Sequence, residues 1–248
     1  GEGEAIPFTQ FKVVESKRED IVVEKYAKSL SLESVAKWGA TVAIEKTDDA
    51  FMVELQNKVL KDFYTFLKTG TLKGTQKKWQ KALAIAKGAV LNKFAGMNRN
   101  VTEVVGFANV MDFYDWLGDK EITVQTMFGL QYIKDFFGFS TLFLLPDAYI
   151  PAKTVIATPV ENIDLYYIDP GDSDFKKLGL DYTTSGETNL IGFHAGGNYT
   201  NATGETYAIM GMKLWAEYLD GVCVVTVGTT ETIPEVSSAV SEVSSNGK

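Results

Sequence analysis

Residues 47–70 read TDDAFMVELQNKVLKDFYTFLKTG, and this stretch decides the fold. Its apolar residues recur at steps of three and four, which places them on one face of a helix; they are Phe51, Leu55, Val59, Phe63, Phe66 and Leu67. Asp48 and Asp49 are predicted in the first turn, where the helix dipole favours negative charge, and Gly70 is predicted to end the helix. A rod of about 30 Å with one aromatic face needs a broad, β-rich surface to pack against.

Composition limits the class of protein. The chain has 248 residues, of which 45% are apolar and 23% charged, and this balance is typical of a soluble globular protein. No apolar run reaches the roughly 18 residues that are needed to span a bilayer. The N-terminus GEGEAIPF is acidic and lacks the apolar core of a signal peptide. We therefore expect no membrane partner.

The residue types that carry chemistry are scarce. Cys223 is the only cysteine and His194 the only histidine, which excludes an internal disulfide and clusters of cysteine or histidine around a metal. Neither a phosphate-binding loop nor a nucleophile elbow occurs. Glu217 and Asp220 are spaced like an acid pair, but we interpret them as a polar edge before the last strand. The sequence thus predicts no catalytic, metal-binding or cofactor-binding residue and no enzyme.

Basic residues are concentrated in one segment, although the net charge is −8. Residues 71–99 contain no acidic side chain and seven basic ones, namely Lys73, Lys77, Lys78, Lys81, Lys87, Lys93 and Arg99. One interpretation is the solvated face of a helix. The other is a surface that faces a polyanion or an acidic partner.

The N-terminal part reads as an arm followed by a hairpin. Residues 1–16 contain turn-forming glycine and proline and are predicted to be extended. The sequence VVESKREDIVVEKY, residues 13–26, predicts a two-stranded hairpin with residues 16–20 at its tip. Such a hairpin is only marginally stable alone, so it needs a neighbour to lie on. After it, Ser31 is predicted to cap a short helix that runs to Trp38.

The remaining chain mixes helices and strands. Helices are predicted over residues 71–96, 111–118 and 124–138. The apolar face of the first of these is marked by Trp79, Leu83, Ala86, Val90 and Phe94. Strands are predicted over residues 102–109, 140–146, 154–158 and 162–169, with the last two as neighbours, and then over the segments 189–199 and 205–227. The Gly-Gly of HAGGN, residues 194–198, is predicted as a plain turn. This order indicates an α+β protein.

Several long segments resemble, in order, a tailed-phage major capsid protein of the HK97 fold. The segments are AIEKTDDAFMVELQNKVLKDFYTFLKTGT, KKWQKALAIAKG, VTEVVGFANVMDFYDWLG, VQTMFGLQYIKDFFGFSTLFLLPDAYIPAKTVIATPVENIDLYYIDP and GETNLIGFHAGGNYTNATGETYAIMGMKLWAEYLDGVCVVTV. The resemblance covers residues from about 6 to 227. No single motif carries it, since capsid proteins have no catalytic signature; the ordered succession of segments does.

The resemblance implies a capsid architecture for each part of the chain. It implies an N-terminal arm, an extended hairpin called the E-loop, a spine helix, a peripheral domain and an axial domain. The expected ranges are 1–9 for the arm, 10–28 for the E-loop, 29–107 for the spine helix and peripheral domain, 108–168 for the axial domain, 169–227 for strands that return to both domains, and 228–248 for a mobile C-terminal tail.

The resemblance also implies contact residues. In the E-loop, the candidates for contacts with a neighbouring subunit are Phe11, Ser16, Lys17, Arg18, Glu19, Asp20 and Tyr26. The candidates for a surface that faces the interior, and hence DNA or a scaffold, are Lys73, Lys77, Lys78, Lys81 and Lys87.

The implied function is a shell protein of the virion, assembled in the host cytoplasm as pentamers and hexamers around double-stranded DNA. The implied partners are other copies of the chain, a scaffolding protein or segment, the portal protein and DNA bound without sequence specificity. The absence of an initiator methionine fits removal of an N-terminal scaffolding segment by a protease, and a separate scaffold fits equally well. The alternative is an encapsulin-type nanocompartment that encloses protein cargo.

Overall fold

A helix of 28 residues runs through the centre of the fold. In the computed structural model, which describes residues 20–118, 121–127, 130–184 and 190–235, this helix is the second of five. The helices are α1 (Leu32–Trp38), α2 (Ala40–Leu67), α3 (Trp79–Gly96), α4 (Val110–Leu117) and α5 (Ser173–Lys177). Short 3₁₀ turns cover Val160–Asn162 and Leu219–Gly221.

Thirteen strands accompany these helices in the described residues. They are β1 (Glu24–Ser31), β2 (Leu72–Gln76), β3 (Val104–Asn109), β4 (Gln125–Met127), β5 (Leu130–Phe136), β6 (Phe139–Leu145), β7 (Thr154–Pro159), β8 (Ile163–Tyr167), β9 (Thr183–Thr184), β10 (Ile191–Asn198), β11 (Thr203–Met210), β12 (Met212–Ala216) and β13 (Cys223–Val227). The mixture of helices and strands confirms the α+β prediction.

The strands form three sheets. A seven-stranded sheet has the order β2-β13-β7-β3-β6-β5-β4, in which β2 and β13 are parallel, β3 and β6 are parallel, and the other pairs are antiparallel. A four-stranded antiparallel sheet has the order β1-β11-β10-β9. A ribbon of two strands pairs β12 with β8.

Helix α2 packs on both larger sheets, as the aromatic face predicted. Its middle turns place Phe51 and Leu55 against Ile191, Ala208 and Met210 of the four-stranded sheet. Its last turns place Tyr64 and Leu67 in a cluster on the seven-stranded sheet. Helices α3 and α4 cover that sheet in a separate cluster. All six residues of β7 are buried, because this strand lies at the centre of the sheet between the helices.

The ends of α2 differ from the prediction. The helix begins at Ala40, immediately after Gly39, which ends α1 as predicted. Asp48 and Asp49 therefore lie about two turns inside the helix, so they are not in its first turn. Ser31 caps α1 as predicted, because its side chain accepts a hydrogen bond from the Ser34 N–H.

Three predicted elements are wrong in type. Residues 72–76 form β2 rather than the start of a helix, because parallel pairing with β13 supplies their hydrogen bonds. The predicted helix over residues 124–138 is instead the strands β4 and β5, which pair with each other and with β6. The HAGGN segment lies within β10, where Gly196 and Gly197 pair with Glu205 and Gly204.

One further expectation needs correction. Strand β8 does not neighbour β7, which lies between β13 and β3; it pairs with β12. The start of the predicted tail contacts the seven-stranded sheet, since Thr232 forms a β-bridge with Thr75 and the Pro234 ring lies against Gly74. Residues 236–248 and residues 1–19 lie outside the described part of the chain.

Candidate assembly surfaces

The predicted E-loop residues fall mostly outside the described part of the chain. Phe11, Ser16, Lys17, Arg18 and Glu19 belong to this group. Asp20 is exposed and precedes β1. The boundaries and the contacts of the hairpin therefore stay predictions.

Tyr26, the remaining E-loop candidate, is held within its own subunit. It lies on β1 and is half-buried against the cluster around Phe51 and Leu55. Its hydroxyl donates a hydrogen bond to the Glu24 carboxylate. Burial and that bond to Glu24 raise the pKa of Tyr26 to about 12. Tyr26 therefore anchors β1 to α2 within the subunit, and its contact with a neighbouring subunit stays a prediction.

Lys58 joins β1 to α2 through two carboxylates. Its Nζ lies 3.0 Å from Oε2 of Glu24 on β1 and 2.7 Å from Oδ2 of Asp62, one turn further along α2. The Tyr26 hydroxyl and the Lys58 ammonium hold the pKa of Glu24 below its ordinary value. The pKa of Lys58 is raised, because its two acidic partners outweigh the effect of partial burial. This cluster fixes the position of β1 on the helix.

The five basic candidates divide into two groups. Lys73 on β2 and the consecutive residues Lys77 and Lys78 before α3 are exposed. Lys81 forms an ion pair with Glu231, with 3.0 Å between Nζ and Oε1. Lys87 donates a hydrogen bond to the Gly138 carbonyl. Only the first group is thus available to a polyanion without breaking a contact seen in the structure.

Glu217 and Asp220, which are spaced like an acid pair in the sequence, form two separate ion pairs with basic residues. Glu217 Oε1 lies 3.0 Å from Nη1 of Arg99, and Asp220 pairs with Lys93. Cys223 is fully buried, and burial raises the pKa of its thiol to about 12, so it is a core residue. His194 Nδ1 lies 3.0 Å from the Asp181 carbonyl oxygen. None of these residues forms a catalytic arrangement with its partners.

A surface that the sequence analysis missed lies on β8. Leu165, Tyr166 and Tyr167 are 42%, 55% and 44% exposed, although a strand of a folded domain usually buries one face. The run of consecutive apolar residues in DLYY, without alternation, was a signal for this. Exposed tyrosine and leucine at a sheet edge are typical of a surface that another chain covers.

Two other kinds of site were sought in the described residues. No group of three or more histidine, cysteine, aspartate or glutamate residues there is arranged to hold a metal ion. No helix among them combines the length and the hydropathy that crossing a bilayer requires.

Solved structures with this fold include shell proteins of two kinds. A chain of Mycobacterium phage Che8 aligns with a TM-score of 0.54 at 9% identity, over 88% of this chain and 76% of that chain. The virus-like particle from Pyrococcus furiosus aligns with a TM-score of 0.51 at 13% identity, over 86% of this chain and 79% of that chain. No protein-family model and no curated protein sequence matches the chain.

The class of protein follows from these alignments. The chain has the fold of phage capsid proteins and related shell proteins, and the capsid-fold prediction is confirmed. Sequence identities near 10% show a shared fold only. They do not show what a shell would contain, since these two similar structures come from a phage and from a virus-like particle.

Proposed function

We propose that this chain is the major capsid protein of a tailed bacteriophage. Copies associate as pentamers and hexamers, which close into an icosahedral head around double-stranded DNA. The observation that carries the proposal is the capsid-protein fold, shared over 88% of this chain with the chain of phage Che8. The protein acts as a structural component of the virion, without catalysis, and is assembled in the host cytoplasm.

The parts of the chain have separate tasks in this proposal. Residues 1–9 are an arm and residues 10–28 an E-loop that lies on a neighbouring subunit. Helix α2 is the spine, because it connects the four-stranded sheet to the seven-stranded sheet. The sequence-based boundary after residue 107 falls inside β3, so we propose that the axial unit is the whole seven-stranded sheet with α3 and α4.

Partners other than the chain itself follow from the same function. A scaffolding protein or segment directs assembly, the portal protein occupies one vertex, and packaged DNA contacts the interior without sequence specificity. The exposed apolar residues of β8 support extensive contact between subunits, since tyrosine contributes strongly to protein interfaces.

The alternative function is an encapsulin-type shell around protein cargo. The observation that favours it is the alignment with the virus-like particle from Pyrococcus furiosus. The two functions share a fold and differ in the contents of the shell.

Electron microscopy of the purified protein tests the proposal. We expect closed shells, and we expect deletion of residues 16–20 to leave a folded subunit that assembles poorly. Co-expression with the genes that neighbour this one identifies the contents: retained DNA supports a phage head, and a retained protein supports the alternative. A protein that stays monomeric under all assembly conditions, or normal shells from the deletion variant, would contradict the shell function or the E-loop assignment, respectively.

A further inference from the structure

Among the described residues, no strand pairs with one edge of β12. Its ladder with β8 is extended by hydrogen bonds from Ile168 N–H to the Gly211 carbonyl, 2.8 Å, and from Glu217 N–H to the Asn162 carbonyl, 3.1 Å. Because hydrogen-bonding groups alternate along an antiparallel strand, the odd-numbered residues of β12 face β8. The N–H and C=O groups of Met212, Leu214 and Ala216 therefore face away from β8, and within the described residues no backbone group pairs with them.

An open groove of about 530 Å³ lies along this edge. All of β12 forms one side of it, and Glu24, Asp62 and Phe66 contribute from β1 and α2. Its volume is within the usual range of ligand clefts, roughly 300–1,000 Å³. Backbone N–H and C=O groups that face away from β8 line one side of the groove. This feature is typical of a site that accepts a β-strand, and it distinguishes the groove from a cleft for a small molecule.

The pairing of β1 points to the strand that fits. Only Gly211 separates β11 from β12, and β1 covers the corresponding edge of β11, with Glu24 opposite Met210. If the pairing of β1 with β11 continued beyond Glu24 toward the N-terminus, Val22 would lie opposite Met212 and Asp20 opposite Leu214. The Val22 carbonyl oxygen is already 3.2 Å from the position that a Cβ on Gly211 would occupy.

Residues 20–23 nevertheless leave the sheet. They have no strand structure, and the backbone hydrogen bonds found among the described residues do not involve them. On β1 the even-numbered side chains are the more buried, but before Glu24 this alternation reverses, and Val22 is 74% exposed. The chain therefore turns away at the point where the groove begins.

Helix α2 also fits the extended register. Lys28 of β1 pairs with Glu54 at 2.8 Å, and Glu24 pairs with Lys58 at 3.0 Å, so β1 and α2 run alongside each other in opposite directions. Two strand residues advance about 6.7 Å and four helical residues about 6 Å. Counted from the pair of Glu24 with Lys58, the next side chain on that face toward the N-terminus, Val22, would thus lie beside Asp62, which lines the groove together with Phe66.

We propose that the free edge of β12 is an acceptor for residues 20–23 of the same chain, which pair with residues 211–214 in the register of β1. In this closed state Val22 enters the groove that Met212, Asp62 and Phe66 line. The proposal concerns the single subunit and stands whether or not the chain forms shells.

A pair of cysteines tests the register in unassembled subunits. Val22→Cys with Met212→Cys places two thiols opposite each other, at a Cα separation of about 5.5 Å that allows a disulfide. The matched control, Ile21→Cys with Met212→Cys, moves one thiol to the other face of the strand. Cys223 does not interfere, because it is fully buried. We expect the first pair to form an intrachain disulfide at least about tenfold faster than the control.

Each outcome on a non-reducing gel is decisive. A compact monomer band that is strong for the first pair and weak for the control supports the closed state. Equal rates for the two pairs would overturn the register. Cross-linking between chains only would assign the edge to a second copy and overturn pairing within the chain.

Hydrogen exchange provides a measurement without cysteines. Val22→Pro removes an N–H that the proposed register directs at β12, whereas Ile21→Pro removes one that it directs away. We expect the amides of Met212 and Leu214, which face away from β8, to exchange several-fold faster in Val22→Pro than in Ile21→Pro. Identical exchange in these two variants and the unmodified chain would contradict the proposal.

Discussion

The side chains that the helical period places on the apolar face of α2 differ in how deeply they are buried. Phe51 and Leu55 are 3% and 1% exposed, whereas Phe63 is only partly buried. Tyr64, which the period did not select, is 4% exposed and packs edge-on against Phe107 with 5.8 Å between ring centroids. The buried face shifts because the helix passes from one sheet to the other.

Leu55 is therefore a more sensitive position than Phe63. We expect Leu55→Ala to lower the free energy of unfolding by about 2–5 kcal/mol, because it leaves a cavity between α2 and the four-stranded sheet. Val53→Ala, on the exposed side of the same helix, should change it by less than about 0.5 kcal/mol. Urea denaturation of the unassembled subunits measures both, and equal effects would contradict the packing of α2.

Glu24 should make stability depend on acid pH. Its pKa is lowered in the folded protein, so the ionised form stabilises the fold at pH values above its ordinary value of 4.5, and this contribution is lost as the pH falls through the folded pKa. We expect Glu24→Gln to flatten the dependence of unfolding free energy on pH in that range. Glu54→Gln, which removes the pair with Lys28 instead, is the control and should flatten it less.

Tyr26 should make stability fall as the pH rises in the alkaline range, the reverse of the dependence expected from Glu24. Its pKa is raised to about 12, so the neutral phenol stabilises the fold below pH 10 and this contribution is lost as the pH rises toward 12. Tyr26→Phe should remove that loss in a denaturation series at alkaline pH. An unchanged alkaline profile would contradict the bond between Tyr26 and Glu24.

At the scale of elements, the β5–β6 hairpin shows why one predicted helix is absent. Apolar residues in 124–138 are dense enough to satisfy a helical period, but β6 offers a partner edge and the turn residues adopt left-handed conformations. Phe137 and Gly138 have φ values of 50° and 75°, as a two-residue turn of type I′ requires. Phenylalanine is unusual at such a position, so the turn signal was weak in the sequence.

Two glycines of different elements should respond oppositely to alanine. Gly138→Ala forces a positive φ on a residue with a side chain and brings its Cβ against the Lys87 ammonium, so we expect a loss of about 1 kcal/mol or more. Gly88→Ala lies in α3 with open space around its Cβ, so we expect a gain of about 0.5–1 kcal/mol. Thermal denaturation measures both, and shifts of the same sign would contradict the structure of the hairpin turn.

At the scale of the whole molecule, the exposed basic residues can be separated from the paired ones. We expect Lys73→Glu, Lys77→Glu and Lys78→Glu together to weaken binding of duplex DNA and to reduce the slope of log affinity against log salt by up to about 3. Lys81 and Lys87 are left unchanged, because substituting them breaks contacts with Glu231 and Gly138.

The matched control carries the same change in charge elsewhere. Lys25, Lys61 and Lys176 are exposed, and their replacement by glutamate should reduce affinity through net charge with a smaller change in slope. Fluorescence anisotropy of labelled DNA measures both variants. Equal slopes would support the alternative interpretation of the basic segment as a solvated face.

The sequence by itself determined several local elements and the class of fold. The period of residues 51–67, the cap at Ser31, the apolar face of α3 and the capsid resemblance all follow from local pattern or ordered similarity, and the structure confirms them. Short-range hydrogen bonds and side-chain spacing decide such features, so they are visible in the order of residues.

Only the tertiary structure decided which strands pair and which charges are free. The placement of β8 beside β12, the conversion of residues 72–76 into an edge strand and the pairing of Lys81 with Glu231 join residues far apart in sequence. The open edge of β12 has the same origin, because it depends on where β1 stops pairing. These contacts join segments that are far apart in the sequence, and no local pattern predicts which distant segments meet. Only the folded structure therefore reveals them.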